Sequence, residues 1–259
     1  PSATPGALAA TGARWRSLAP AVLLGALALL LVAQVVAFRD PFEALAPQVQ
    51  GLLTRADWGR VFTAQVALAV LMAVPAVHRR AGLYGLLATA SCASLAFVGH
   101  SWGVAEGRLV TIGAEVVHAV AAAAWLGGLA VLVAAHRRAA ATGAPAFDAG
   151  RATEQFSRTA LFAVPALLVT GAIANWIHGG GLGALLQPGW GRALAIKTLL
   201  VAGMAVLGFY NWRVTLPRLQ RGDPDVAFGR GAPAWEALLG LAVLGATAVL
   251  VALSPPSGG

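Results

Sequence analysis

The chain has 259 residues, of which 58% are hydrophobic and only 11% are charged, and its mean hydropathy is +0.75. This composition leaves too little polar surface for a soluble globule and predicts an integral membrane protein. The net charge of +8 does not indicate a nucleic-acid partner, because the arginines cluster between apolar runs without an aromatic-interleaved basic patch. The single cysteine, Cys92, excludes an internal disulfide framework and a CxxC motif.

Seven apolar runs are long enough to cross a hydrocarbon core of about 30 Å, which needs about 20 residues. In chain order they are Ser17–Phe38, Arg60–Val77, Gly82–Gly99, Leu109–Ala135, Arg158–Ile177, Arg192–Leu216 and Ala234–Leu253. Continuous Leu/Ala/Val runs indicate helices rather than barrel strands. We therefore predict an all-α fold, a polytopic transmembrane helical bundle of about seven spans, with kinks at Pro75 and Pro165.

The basic residues predict the orientation of this bundle. Twelve of the 18 Lys and Arg residues fall in the loops on one side, which the positive-inside rule places in the cytoplasm. Residues 1–16 are then a cytoplasmic N-terminal segment, 17–253 the transmembrane domain and 254–259 an extracytoplasmic tail. The loop that carries His100 and the turn that carries His178 consequently face outward.

The fourth run contains Glu115 and His118, one helical turn apart and several residues deep in predicted hydrocarbon. An ionisable side chain at the centre of a bilayer costs about 2.5–3.5 kcal/mol on insertion scales, so such groups usually face a bundle interior and often mark a pathway or a ligand site. Ala122, Trp125 and Leu129 continue the same helical stripe. Glu115 and His118 are therefore the first candidates for a functional site.

Other polar or sulfur-containing side chains are expected in the outer half or the middle of the membrane. The outer half offers His100, Asn175, His178 and Lys197, and the middle offers Met72, Cys92 and Met204. Imidazole, thioether and thiolate are ligand types that suit copper. Each also has a structural interpretation: the methionines and Cys92 as packing residues, His178 as a loop residue, and Lys197 as an electrostatic partner of Glu115.

Four sequence blocks carry a family resemblance. They are GHS at Gly99–Ser101, GAEVVHAVAAAAWLGGL at Gly113–Leu129, QFSRTALFAVPALLVTGAIAN at Gln155–Asn175 and WGRALAIKTLL at Trp190–Leu200. In this order the blocks resemble the copper-resistance protein D (CopD) family. The resemblance implies an inner-membrane protein of about eight helices associated with copper uptake, often with a periplasmic CopC-like carrier as partner or domain.

The resemblance also implies roles for particular residues. The family's His in the GH pair corresponds to His100, its mid-helix His to His118, and the preceding acidic residue to Glu115. This chain departs from the family pattern by having one helix fewer, which fits the removal of an upstream span. It also has Gln155 where an arginine pair often precedes the FS motif.

The predicted function is copper transport across the bacterial inner membrane, from the periplasm to the cytoplasm. Copper would bind first to His100 and His178 and then to Glu115 and His118. Met204 and Met72 would be further copper-binding residues in the middle of the membrane. The sequence has no nucleotide-binding P-loop and no nucleophile elbow, so we expect gradient-driven or chelation-driven transport and no enzymatic activity.

Two alternatives remain open from the sequence. One is a non-transporting assembly factor that presents copper to a respiratory oxidase, with an oxidase assembly module as partner. The other is a b-type electron carrier in which two of His100, His118 and His178 ligate a haem. The first predicts normal copper accumulation in a deletion strain, and the second predicts a Soret band in the purified protein.

Overall fold

The structure is a computed structural model that describes residues 6–97, 107–142, 148–179, 187–223 and 231–253. The described residues form helices joined by turns and contain no strand, so the all-α prediction is confirmed. In chain order the helices are α1 (Gly6–Ala37), α2 (Leu45–Thr54), α3 (Asp57–Ala73), α4 (Pro75–His78), α5 (Ala81–Ser94), α6 (Arg108–Thr142), α7 (Ala149–Gly179), α8 (Trp190–Tyr210), α9 (Leu216–Gln220) and α10 (Ala232–Ala252).

Within the part of the chain that the structure describes, five helical segments are long and apolar enough to cross a membrane. They are Ala10–Ala37, Arg108–Ala141, Ala149–Ile177, Trp190–Gln220 and Pro233–Ala252, which correspond to five of the seven predicted spans. The other two predicted spans are also helical but shorter: α3 has 17 residues, and α5 has 14 before it continues as a 3₁₀ turn to Phe97. These lengths fall at or below the lower end of the usual range for a membrane span.

Pro75 explains why α3 is short. The sequence predicts a kink there, but the helix ends at Ala73 and a new turn, α4, begins at Pro75. Val74 between them is extended, with φ −66° and ψ 126°, because the proline ring disfavours the helical region for the residue before it. By contrast, Pro165 lies inside the uninterrupted helix α7.

The chain divides into two compact units. The first unit is Gly12–Val120, and the second unit is Pro1–Thr11 together with Ala121–Gly259.

In the first unit, α1 packs on α3 through an apolar cluster centred on Leu27, Phe62 and Ala69. The buried Gln65 of α3 donates a hydrogen bond from Nε2 to Ser94 Oγ of α5, at 3.2 Å. An apolar contact and a polar contact thus fix α3 against two neighbours.

In the second unit, the core joins α6, α7 and α8 around Trp125, Leu129, Ala163 and Met204. Helices α8 and α10 pack against each other along much of their length. Gly240 of α10 lies against both α6 and α8: a Cβ there would lie 2.7 Å from Leu126 Cδ2 of α6 and 3.5 Å from Met204 Cε of α8.

Large apolar side chains cover the outer surfaces of these helices. Leu29, Leu199 and Val251 are among the many that are mostly exposed. A soluble protein of this size rarely exposes so much contiguous apolar surface, whereas lipid-facing helices do so as a rule. The fold is therefore that of a polytopic membrane protein.

Candidate functional site

Glu115 and His118 lie in the first unit, near the start of the long helix α6. Both side chains are half-buried. Their three-residue spacing places them on adjacent turns of one face, with Cβ atoms about 5–6 Å apart. A carboxylate and an imidazole at this separation can serve the same cation, and their role as copper ligands stays a prediction.

Met72 lies on α3 of the same unit and is buried, with 4% of its surface exposed. It shares a helical face with Gln65, whose amide is bound to Ser94. Cys92, on α5, is half-buried. Within the described residues, no three His, Cys, Asp or Glu side chains are grouped so that they could hold a metal ion.

The two predicted outer ligands cannot be compared with the structure. His100 lies outside the described residues. His178 is the penultimate residue of α7, but its side chain also lies outside the described part.

Met204 lies on α8 in the second unit and is completely buried. Its sulfur packs near Gly240: a Cβ at that glycine would lie 3.9 Å from Met204 Sδ. Met204 belongs to the apolar core together with Trp125 and Leu129. A copper ion could reach this thioether only if the packing between α8 and α10 opened.

The most deeply buried ionisable group of the second unit that the structure describes is Glu236, near the start of α10, which is only 2% exposed. Asn211 Nδ2 donates a hydrogen bond of 2.7 Å to Glu236 Oε2. Thr215 Oγ1 in turn donates to Asn211 Oδ1 at 3.2 Å. The indole of Trp125 is the other polar group beside this carboxylate, although its Nε1 makes no hydrogen bond of standard geometry.

A local departure from α-helical geometry positions Asn211 and Thr215. Residues Asn211–Thr215 form a π-helical segment between α8 and α9. Pro217 follows it, and because proline has no N–H and its ring crowds the carbonyl four residues earlier, regular α-helix is disfavoured at this point. Single π-helical turns inside membrane helices often occur at functional sites.

A cavity of about 440 Å³ lies beside Glu236 within the second unit. Its walls are mostly apolar and include Phe156, Val164, Phe209 and Trp212, whereas Glu236, Asn211 and Trp125 contribute polar groups. The ion pair Arg158–Glu154, at 2.7 Å, also lines it and is solvent-exposed. A mostly apolar cavity with a few convergent polar groups is the usual form of a ligand site.

The sequence analysis does not single out Glu236, which lies within the last predicted span, Ala234–Leu253. The signal that could have revealed it is the same one that selects Glu115: a carboxylate inside an apolar run. Its pairing with Asn211 depends on how α8 and α10 pack, which helical phase alone does not give.

Residues 150–250 match the family model described as "Copper resistance protein D". Over these residues, the chain is similar to the CopD family. The matched segment contains Met204, His178 and the Asn211–Glu236 pair, whereas Glu115 and His118 precede it.

Two curated relatives extend the similarity over most of the chain. The first, "Inner membrane protein YebZ" of Escherichia coli (strain K12), is 29% identical over 224 residues, which cover 82% of this chain and 74% of that protein. The second, "Copper transport protein CutJ" of Bacillus subtilis (strain 168), is 29% identical over 214 residues, or 76% of this chain and 37% of that protein. No solved structure matches the chain. The predicted CopD resemblance is therefore confirmed, and a multi-pass protein of the inner membrane agrees with these relatives.

Proposed function

We propose that this protein transports copper across the bacterial inner membrane, from the periplasm to the cytoplasm. The observation that carries the proposal is the pair Glu115 and His118, half-buried on adjacent turns of a membrane-spanning helix. The match of residues 150–250 to the CopD family model and the similarity to a protein named for copper transport support copper as the cargo. The protein acts in this proposal as a carrier and not as an enzyme.

The route follows from the chemistry of the candidate ligands. His100, with His178, receives copper at the outer face, and Glu115 with His118 holds it within the membrane. Met72 and Met204 supply thioethers that suit Cu(I). Because both are buried in the described structure, copper would reach them only through side-chain movement.

The orientation and partner belong to the same proposal. The arginine distribution places the N-terminus in the cytoplasm, so that the His100 loop faces the periplasm. A periplasmic CopC-like carrier would deliver copper to that face. With no P-loop in the sequence, the copper gradient, the carrier or cytoplasmic chelation would drive transport.

Replacing His118 by Ala tests the proposal. The variant should lose copper-dependent accumulation in cells, because the imidazole is the strongest copper ligand of the intramembrane pair. His136→Ala is the matched control: it removes a second half-buried imidazole from the same helix, one whose Nδ1 is hydrogen-bonded to the Leu132 carbonyl at 3.0 Å. This control should accumulate copper like the parent.

Elemental analysis of the purified proteins after copper exposure adds a direct measurement. Near-stoichiometric copper in the parent and its loss in His118→Ala would support the site. Unchanged accumulation in His118→Ala would remove this residue from the route. Normal accumulation in a strain that lacks the protein altogether would contradict transport.

A further inference from the structure

Glu236 is a buried carboxylate that the proposed copper route does not use. It is 2% exposed and lies in the span Pro233–Ala252. Asn211, Trp125 and Gly208 lie beside its carboxylate, and none of these three is a predicted copper ligand. Burying a carboxylate in a membrane helix is costly, so such residues usually serve a function.

The two carboxylate oxygens have different surroundings. Oε2 accepts the hydrogen bond from Asn211 Nδ2, whose orientation is fixed by the bond that Asn211 Oδ1 accepts from Thr215. Oε1 lies beside Gly208, where an added Cβ would be 3.4 Å from it. Because Gly208 and Glu236 both line the cavity, a glycine leaves the approach to this carboxylate open.

The chemistry of the cavity limits what can bind at Glu236. Mg²⁺ and Ca²⁺ take six or more oxygen ligands, but the Asn211 oxygen is already occupied by Thr215. Copper prefers imidazole and sulfur ligands, and no His, Cys or Met is among the described residues that line this cavity. A proton needs only one free carboxylate oxygen.

Few charged groups face this carboxylate. From α7, Arg158 and Glu154 line the cavity, but they are paired with each other at 2.7 Å, and both are exposed. The π-helical segment contributes the Asn211 amide, and α6 contributes the Trp125 indole. Within the described residues, Glu236 forms no salt bridge with a Lys or Arg that would hold it permanently ionised.

We propose that Glu236 is a proton-binding site that couples proton movement to the movement of copper. A proton entering through the cavity forms an O–H bond at Oε1, and the same bond breaks when the proton leaves. Asn211 donates to Oε2 in both states, so it holds the carboxyl group in place while its charge changes. This inference rests on the proposed copper transport, for which it supplies a driving force.

The test uses the full chain reconstituted in liposomes, with copper as the probe. Copper flux in the parent should change when a pH gradient is imposed, and Glu236→Gln should lose that response because an amide cannot bind and release the proton. Glu236→Asp keeps the carboxyl group and should restore part of it. Glu154→Gln removes the other carboxylate of the cavity and should respond like the parent.

Infrared spectroscopy of the purified proteins provides a readout that does not need copper. As pH falls, the protonated-carboxyl band of the parent should contain a component, beyond that of the other Asp and Glu residues, that is missing in Glu236→Gln but present in Glu154→Gln. Unchanged spectra in Glu236→Gln would overturn the proton site.

The outcomes separate this inference from the proposed function. If the parent moves copper without any response to the pH gradient, or if Glu236→Gln responds as the parent does, the coupling is wrong and copper transport stands. If the parent moves no copper, the proposed function and the coupling both fail. In that case the infrared band alone decides whether Glu236 binds a proton.

Discussion

The two units of this protein both place ionisable groups in apolar helices, but they hold them differently. In the first unit, Glu115 and His118 are half-buried on one face of α6. In the second unit, Glu236 is almost fully enclosed and is fixed by Asn211 and Thr215. A half-buried pair is suited to receiving and releasing a ligand, whereas an enclosed and fixed carboxylate is suited to a small, defined change such as binding a proton.

The units also differ in the kind of contact that their most crowded glycine makes. In the first unit, the backbone of α2 approaches α3 at Gly59, where an added Cβ would overlap the carbonyl groups of Leu52 and Leu53. In the second unit, the tightest glycine contact, at Gly240, is with the flexible side chain of Leu126. Backbone contacts cannot yield as side chains do, so the two units should respond differently to added volume.

The largest effect on stability is expected from Gly59→Ala. The new methyl group must displace backbone, and overpacking of this kind costs typically 1–3 kcal/mol. Because a side-chain shift cannot relieve it, we expect a loss of about 3 kcal/mol in the free energy of unfolding. Unfolding in mixed detergent and SDS micelles, followed by circular dichroism, would measure it.

Gly51→Ala is the matched control, since it adds the same methyl group on α2 where no other atom lies within 4 Å. Alanine replaces glycine favourably inside a helix, so this variant should be as stable as the parent or gain about 0.5–1 kcal/mol. Equal stabilities of the Gly59 and Gly51 variants would contradict the close approach of α2 and α3.

A smaller effect is expected from Asn211→Ala in the second unit. The change leaves Glu236 Oε2 buried without its donor and removes the acceptor of Thr215. Hydrogen bonds between membrane helices reach about 1.7 kcal/mol at most in double-mutant cycles, and we expect a loss near this limit because both partners are enclosed. The measurement is again unfolding in SDS micelles.

Thr198→Ala provides the control for this variant. Thr198 is exposed on α8, and its hydroxyl donates only to the Leu194 carbonyl of the same helix, at 2.8 Å. Its replacement should stay within about 0.5 kcal/mol of the parent. A similar small effect for Asn211→Ala would mean that the hydrogen bond to Glu236 does not hold α8 against α10.

The sequence predicts the helical fold and the candidate positions on each helix much better than the contacts between helices. Apolar runs and their 3.6-residue phase identify α6 and place Glu115 and His118 on one face. They also overestimate the length of the second predicted span, since Pro75 ends α3 instead of bending it. Whether a proline bends or ends a membrane helix depends on whether neighbouring groups can hydrogen-bond to the backbone groups that it leaves unpaired.

Contacts between helices explain why Glu236 was missed and why Met204 was treated as a ligand candidate. Seven-residue spacing aligns Met204 with Asn211 in the sixth predicted span, Arg192–Leu216, and both positions are buried. Only the packing of α10 shows that Asn211 binds a carboxylate while Met204 lies against Gly240. Methionine serves both as a copper ligand and as a core-packing residue, so spacing alone does not distinguish the two roles.

The smallest effect on the free energy of unfolding is expected for the hydrogen bond between Gln65 and Ser94, a polar contact between α3 and α5 in the first unit. Ser94 Oγ also donates to the Ser91 carbonyl at 2.7 Å, so single variants would mix two interactions. A double-mutant cycle with Gln65→Leu and Ser94→Ala isolates the pair. We expect a coupling of about 0.6 kcal/mol, the average for such bonds between membrane helices.

This value should be well below the effect of Asn211→Ala, because Gln65 and Ser94 are uncharged and Ser94 is only half-buried. Gln50→Ala, an exposed glutamine on α2, should change stability by less than about 0.5 kcal/mol. A coupling between Gln65 and Ser94 as large as the Asn211 effect would remove the contrast drawn between the two units. It would show that the first unit, too, is held by a strong polar contact.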